Sequence, residues 1–475
     1  MHYFIRGIFL GGAGYLALAT PTTAQAQDSR VVILEQQLRD MRAEIAEIRK
    51  AQTEDGSSTE LGKRFASQPR VGLDNGRLTV TSADGAFSVS LRGLLQYDYG
   101  YFAQGRGAPA VDLSSGANFR RAQIGLTGTA WRVWSYNFTF DFGGNGLENP
   151  GYIYNAYIQY DGLKPFGFRI GAYSPAGGLE DQTGSPDLIF LERPAVVDAA
   201  RNIAGAPGRS AATIFLQDGN YLLSASITGD KINTGATRAL NAVPSDEQVA
   251  FVGRASWLAV NTANAKWLLD AGLTHVFKPT DNPTPAGALN SFSLGAGPEI
   301  AIDTTRTIST GAMDTDTVTE YNFETAATYK ALYFQGGWFG FQVERRNTAI
   351  PSPDFSGWYA AATWSLTGER HPYDAASATF RQIRPTQGVG NGGLGAWEIK
   401  ARYSHFDLDF DPLAAPAAGG IAGGVQDVWT LGLNWYATNG VRFALDYNNI
   451  KVNRINAPAN DLSADAVALR AQLSL

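Results

Sequence analysis

From Phe87 to the last residue, apolar and polar side chains alternate with a period of two. In 87–99, Phe87, Val89, Leu91, Leu95, Tyr97 and Tyr99 point one way, while Ser88, Ser90, Arg92, Gln96 and Asp98 point the other. In 133–142, Trp134, Tyr136, Phe138, Phe140 and Phe142 alternate with Ser135, Asn137, Thr139 and Asp141. The dyad returns in 427–437 (Trp429, Leu431, Leu433 and Trp435 against Thr430, Gly432 and Asn434) and runs to the end through Val467, Leu469, Leu473 and Leu475. Successive side chains of a strand face opposite sides, so each segment predicts a strand with one apolar and one polar face. Each is about ten residues long, enough for one tilted crossing of a bilayer. Soluble sandwich strands usually run to about five or six.

Seventeen such segments can be drawn, near 87–99, 119–130, 133–142, 152–160, 167–173, 211–218, 220–229, 249–259, 266–277, 291–303, 318–329, 332–345, 355–366, 395–408, 427–437, 440–450 and 464–475. A bacterial single-chain barrel takes an even number. Segment 291–303 is broken by Gly and Pro, which a central strand disfavours, so it is demoted. The expected fold is all-β: a 16-stranded antiparallel transmembrane β-barrel over 87–475, with 278–317 as one long external loop. Connections at Trp131-Arg132, Asp218-Gly219, Lys330-Ala331 and Thr438-Asn439 are short, while 100–118, 174–210, 230–248, 278–317 and 409–426 are long. Short turns on the periplasmic side and long loops outside suit such a barrel. Segment 367–394 is long yet falls on the periplasmic side, and 77–82 can pair as an extra strand.

The N-terminal part reads differently. Arg6 followed by the apolar run 7–19 and Ala24-Gln25-Ala26 predicts a cleaved export signal over 1–26. The apolar run is shorter than the roughly 20 residues of a spanning helix. In 27–52, Val31, Leu34, Leu38, Met41, Ile45 and Ile48 recur by threes and fours, the seam of a short periplasmic coiled-coil helix. So short a helix gains stability from copies on neighbouring subunits; the alternative is an amphipathic helix lying on another surface. Residues 53–86 are expected to be a linker.

Composition agrees with a barrel. Aromatics make up 12% and Gly numbers 53, whereas charged residues are 17%, against roughly 25% in a typical soluble domain. No cysteine is present, which excludes disulfides and thiolate metal sites. A net charge of −6 argues against nucleic acid as a partner. No cofactor or metal is expected.

A pore selects ions by the charges that line it and by its narrowest radius. The dyad turns Arg92, Arg121, Arg169, Arg254, Arg402, Arg442 and Arg470 inward. Guanidinium groups stay charged at any relevant pH and grip oxyanions bidentately, so such a file would attract small anions. The same parity turns Asp98, Asp141, Asp270, Glu320, Glu324 and Asp446 inward, and each arginine could equally be paired with an acid and brace the barrel.

Several stretches carry a family resemblance. Phe119 to Gly128 (FRRAQIGLTG), Tyr157 to Gly171 (YIQYDGLKPFGFRIG), Leu191-Glu192-Arg193 with Arg201-Asn202 and Gly205, and Gly357-Trp358-Tyr359 are four of them. Others are Thr367-Gly368-Glu369-Arg370, Tyr373-Asp374, Thr379-Phe380, Arg384-Pro385, Gly395-Ala396-Trp397-Glu398, Ala401-Arg402-Tyr403-Ser404 and Leu431 to Tyr436. In this order they resemble the phosphate-selective porin O and P family. The resemblance implies a trimeric sixteen-stranded porin that sits in outer-membrane lipid and passes anions, often phosphate. It also implies that loop 174–210 folds inward as a constriction, carrying Arg193, Arg201 and Arg209. A lysine that the family places ahead of Phe-Gly-Leu has no counterpart in Tyr173 to Glu180, and the chain ends in Leu475 rather than Phe.

Catalysis is not expected. His275, His371 and His405 sit in no metal-ligand spacing, no GxSxG is present, and His371 is expected to cap or solvate the loop before Pro372. Three other readings remain: a general solute porin, an envelope tether acting through the coiled coil with the barrel as its anchor, and a barrel enzyme.

Overall fold

The computed structural model describes residue 36 and residues 68–74, 76–105, 111–144, 151–232, 247–280, 291–455 and 461–475. The signal segment and the coiled-coil seam positions Val31, Leu34, Leu38, Met41, Ile45 and Ile48 lie outside them.

Sixteen antiparallel strands form the wall: β1 (Ser88–Gln104), β2 (Gly116–Ala130), β3 (Trp134–Asp141), β4 (Tyr152–Leu163), β5 (Phe166–Tyr173), β6 (Arg209–Asp218), β7 (Tyr221–Lys231) and β8 (Val249–Asn261), then β9 (Ala265–Lys278), β10 (Thr317–Tyr329), β11 (Leu332–Glu344), β12 (Asp354–Ser365), β13 (Ala396–Phe410), β14 (Ile421–Tyr436), β15 (Val441–Asn453) and β16 (Leu462–Ser474). Each pairs with its sequence neighbours, and β16 closes on β1 from Ala464↔Gln104 to Ser474↔Leu94. Closure leaves the wall no free edge, the condition for strands to cross a membrane. Segment 291–303 stays out of the wall, as expected. It contributes Ser291–Phe292 and Gly295–Ala296, which pair with Met313–Asp314 and Ile308–Ser309 inside one long loop.

The dyad survives in three dimensions. Trp429 and Leu431 on β14 are more than half exposed, whereas Gln426, Val428 and Thr430 between and below them are shielded. The exposed rows are the apolar ones, which lipid would cover. Apart from 366–395, connections at the foot of the wall are tight: Lys330-Ala331 joins the paired ends Tyr329↔Leu332. The β2–β3 turn holds both Trp131 and Arg132 at positive φ (49° and 65°), matching the twist of the flanking strands.

At the N-terminal foot, Arg70–Asp74 and Arg77–Thr81 form a hairpin whose second strand pairs with β1 (Thr79↔Ser90, Val80↔Val89, Thr81↔Ser88). Within the expected linker 53–86, Arg70–Asp74 and Arg77–Thr81 are strands, which agrees with the alternative pairing of 77–82 as an extra strand. Arg77 Nε donates to the carbonyl of Leu475 (3.2 Å), fixing the hairpin to the chain's last residue.

Among the described residues, three connections fold into the barrel. Residues 174–208 turn inward and carry α1 (Leu179–Gln182) and α2 (Ala195–Ala204). The long loop after β9 packs on them from one side. Val196, Val197 and Ile203 of α2 join Ile300 and Ile308 of that loop and Val252, Phe339, Phe341, Phe406 and Val428 of the wall in one buried apolar cluster. Inward positions are thus apolar where loops pack on the wall and polar elsewhere.

The third connection is 366–395, at the foot of the barrel. It folds up into the lumen through a small ladder, Tyr373–Asp374 with Thr379–Phe380. Phe380 packs with Leu179 of α1 and with Leu258, Leu268 and Tyr333, and the Gln382 amide donates to Asp187 Oδ1 (3.1 Å). Its length, unusual for a periplasmic turn, is that of a plug. His371 does not cap the approach to Pro372. It is buried, with Nε2 2.6 Å from Glu398 Oε1 and Nδ1 2.8 Å from the Arg381 carbonyl.

Candidate functional site: the lumenal constriction

The inward loop is pinned along Leu188–Glu192 by cations of β13, β15 and β16. Lys400 Nζ donates to the Ile189 carbonyl (2.8 Å) and pairs with Asp446 (2.6 Å). Arg442 donates to the carbonyls of Leu188 and Ile189, Arg402 to that of Glu192 (2.8 Å), and Arg470 to that of Leu191 (2.6 Å). The Phe190 ring lies beneath Lys400 and Arg402, whose guanidinium carbon is 4.5 Å from its centroid. Glu299 of the long loop completes the lock: it accepts from the first amide of α2, at Ala195 (2.7 Å), and pairs with Arg402 (2.7 Å). A carboxylate at a helix N-terminus meets unsatisfied N–H groups and the positive end of the dipole.

Beside this anchor, β1 pairs with β16 on one side and with β2 on the other, and β2 presents two adjacent arginines to the lumen. Gln96 pairs with Arg121 and Tyr97 with Phe119, so Arg120 is the extra residue of a β-bulge. A bulge breaks the alternation of faces, and both guanidiniums reach Glu192 of the inward loop. Around them, Arg193, Asp198 and Arg201 of the loop, Lys231 at the end of β7, and Tyr152 and Tyr154 line a cavity of about 410 Å³. A second cavity of about 260 Å³, lined by Glu192, Asp198, Glu299 and Asp303, lies toward the long loop. Arg120 lines both and so stands at the partition.

The charges here are opposed but not cancelled. Arg201 pairs with Asp181 (2.7 Å) and lies 4.0 Å from Asp198. Among the described residues, Arg193 donates to the carbonyls of Glu180, Asp181 and Thr183. Lys231 donates to Asn202 Oδ1 (3.2 Å). Burial pushes the Asp181 carboxyl up, but Arg201 and Arg193 outweigh it and hold it below its ordinary value. Glu192 is likewise raised by burial and then held well below the usual carboxylate range by Arg120, Arg121 and Arg470. Glu180 goes the other way, raised because burial exceeds the pull of Arg193.

The residues marked in the sequence divide into three groups. Arg121, Arg193 and Arg201 meet at the cavity. Arg402, Arg442 and Arg470 are staples of the inward loop. Arg92, Arg169, Arg209 and Arg254 stand apart. Arg92 is half-buried near the foot of β1, and Arg169 stacks over Tyr157 and Tyr173 (4.5 and 5.2 Å). Arg254 pairs with Asp270 (2.8 Å). Arg209 opens β6 rather than ending the loop, and it donates to the carbonyls of Gly205 and Gly229 (3.0 Å each). Sequence reasoning missed Arg120, Lys231 and Lys400. Lys400 shares the parity of Arg402 and was legible; Arg120 was not, because a bulge has no dyad signal. Among the described residues no group of His, Asp and Glu could hold a metal ion.

A closed sixteen-stranded barrel with an inward-folded loop and charged lumenal cavities defines an outer-membrane porin, a channel rather than an enzyme. The sequence profile of the phosphate-selective porin O and P family matches residues 89–475, and the chain belongs to that family. It is 26% identical over 414 residues to Porin O of Pseudomonas aeruginosa, spanning 84% of this chain and 90% of that one. A protein of Caulobacter vibrioides is 25% identical over 389 residues, spanning 80% and 72%. Among solved structures, the outer membrane channel DcaP of Acinetobacter baumannii shares the fold, with a TM-score of 0.50 at 11% identity over 82% of this chain and 98% of that one.

Proposed function

We propose that the chain forms a passive, water-filled channel for small anions, inorganic phosphate among them. The observation that carries this reading is the pair Arg120 and Arg121, set side by side by the bulge, with Arg193, Arg201 and Lys231 around the same cavity. Rings of fixed cations raise the local anion concentration, and several moderate sites let an ion leave as well as enter. The family's description and the Pseudomonas relative's name support phosphate. Of the arginines marked in the sequence, Arg121, Arg193 and Arg201 would act on the ion. Arg402, Arg442 and Arg470 would brace the loop, and the others would tune the lumen's field.

The same reading takes 1–26 as a cleaved export signal and 27–52 as the coiled coil of a homotrimer seated in outer-membrane lipid. Planar-bilayer reversal potentials in a salt gradient test the anion preference, and a cation preference ends it. Titrating phosphate at fixed chloride separates the solutes. Concentration-dependent block is expected; simple additivity of the two currents would make the pore a general one.

A further inference from the structure

Glu192 holds an unusual position for a carboxylate in an anion pore. It projects from the inward loop into the arginine cluster instead of away from it. Arg120 grips it with two bonds (2.8 and 3.1 Å), Arg470 adds a third (2.8 Å), and Arg121 stands at 3.4 Å. This fork geometry is the one in which a guanidinium binds a free oxyanion. Arg470 is also tied to Asp98 (2.6 Å) and Arg121 to Gln96 (2.7 Å), which leaves the two-bond grip of Arg120, with Arg121 beside it, as the place open to exchange with a mobile anion. Both also line the larger cavity, and Glu192 borders the smaller one.

We propose that Glu192 is a tethered counter-anion: it fills the Arg120–Arg121 fork at rest, and a permeating anion binds there by sharing or displacing it. This rests on the anion-pore reading and adds to it a selection rule. A spherical monovalent ion offers the fork one acceptor atom and one charge, whereas a multiply charged tetrahedral oxyanion offers two oxygens in bidentate geometry and competes better with the carboxylate for both bonds. The tether also limits residence. An ion held by an uncompensated arginine pair would leave slowly, and conduction needs release as well as capture. The three guanidiniums outweigh its burial and hold the carboxyl well below its ordinary value, so it competes as a carboxylate throughout the neutral range.

The test is E192Q in the full-length protein in planar bilayers, with inorganic phosphate as blocker of the chloride current. The amide keeps the size of the side chain but loses the charge. The loop stays anchored by Lys400, Arg402, Arg442 and the Asp446 bond to the Leu191 amide (2.9 Å). The phosphate concentration for half-block is expected to fall by about tenfold, the order of effect of one unit charge at a partly exposed site. The reversal potential should move further toward anion preference. An unchanged or higher half-block concentration overturns the proposal. So does a jump of conductance in concentrated salt with loss of anion preference, since Glu192 would then be a loop staple only. Cation preference in the unsubstituted protein would instead overturn the anion-pore reading itself.

Discussion

Arg254 on β8 and Asp270 on β9 form an ion pair of 2.8 Å with both side chains fully screened from water. The same guanidinium donates to the carbonyls of Ser377 and Ala378 (2.8 Å each). The pair therefore joins the wall to the plug segment 366–395. Asp270 also accepts from Ser256, so the carboxylate is the hub of a buried polar group. Breaking such a pair on one side leaves an uncompensated charge and costs about 3–5 kcal/mol.

Asp270→Asn should loosen the plug more than the wall, because the sixteen-strand ladder is untouched. Single-channel conductance should rise, and limited proteolysis of purified protein should cut within 366–395. R254M should do the same with at least as large a loss of stability, because it leaves the fully buried Asp270 carboxylate without its cation and frees the carbonyls of Ser377 and Ala378. Unaltered conductance and an intact segment in both variants would mean that the plug is held elsewhere.

A second expectation concerns Gly272. A Cβ there would collide with the Gly177 carbonyl and with the Asn322 side chain. The missing side chain lets the inward loop lie against β9, where Asn322 Nδ2 donates to Gly177 O (2.9 Å). Gly272→Val should push the loop's first turn away from the wall, raise conductance in concentrated salt and reduce anion preference. Equal conductance in the two proteins would show that the contact is not what seats the loop.

These two cases mark where sequence reading works and where it stops. The wall was legible because lipid on one side and a polar lumen on the other impose a strict dyad: Phe138 is exposed while Asn137 and Thr139 are shielded. The lumenal acids Asp98, Asp270 and Asp446 face inward as the dyad requires, and each pairs with a cation there. What was not legible depends on contacts between distant segments. The role of Arg442 as a staple needs the carbonyls of Leu188 and Ile189 beside it. Arg120 needs the bulge opposite Gln96 and Tyr97. His371 reaches Glu398 only because 366–395 folds up into the barrel, which no periodicity announces.

Charge substitutions should separate ion-facing arginines from the rest. R120Q and R121Q should each shift the reversal potential toward cations, because both line the larger cavity. R209Q should shift it much less, since that guanidinium is spent on the carbonyls of Gly205 and Gly229. The comparison is a salt-gradient measurement on three single variants. Equal shifts at Arg120 and Arg209 would remove the bulge pair from any special role.

Acidification offers a final expectation, and its sign follows from which carboxyls move which way. Burial raises Glu180 and Asp187, the latter despite the Gln382 amide bond. A carboxyl raised in the native state takes up its proton first as pH falls, and protonation relieves the burial cost, so the inward loop becomes better seated. Asp181 and Glu192 are depressed in the native state, burial notwithstanding, by Arg201 and Arg193 and by Arg120, Arg121 and Arg470. Their contribution is complete above the unfolded values of about 3.9 and 4.3 and is lost only as pH falls through their lower native values. Conductance in concentrated salt should therefore stay level from pH 7 to about 5 and rise only below about 4, as the loop comes loose. A rise already between pH 7 and 5 would mean that the ion pairs of Asp181 and Glu192 do not hold the loop.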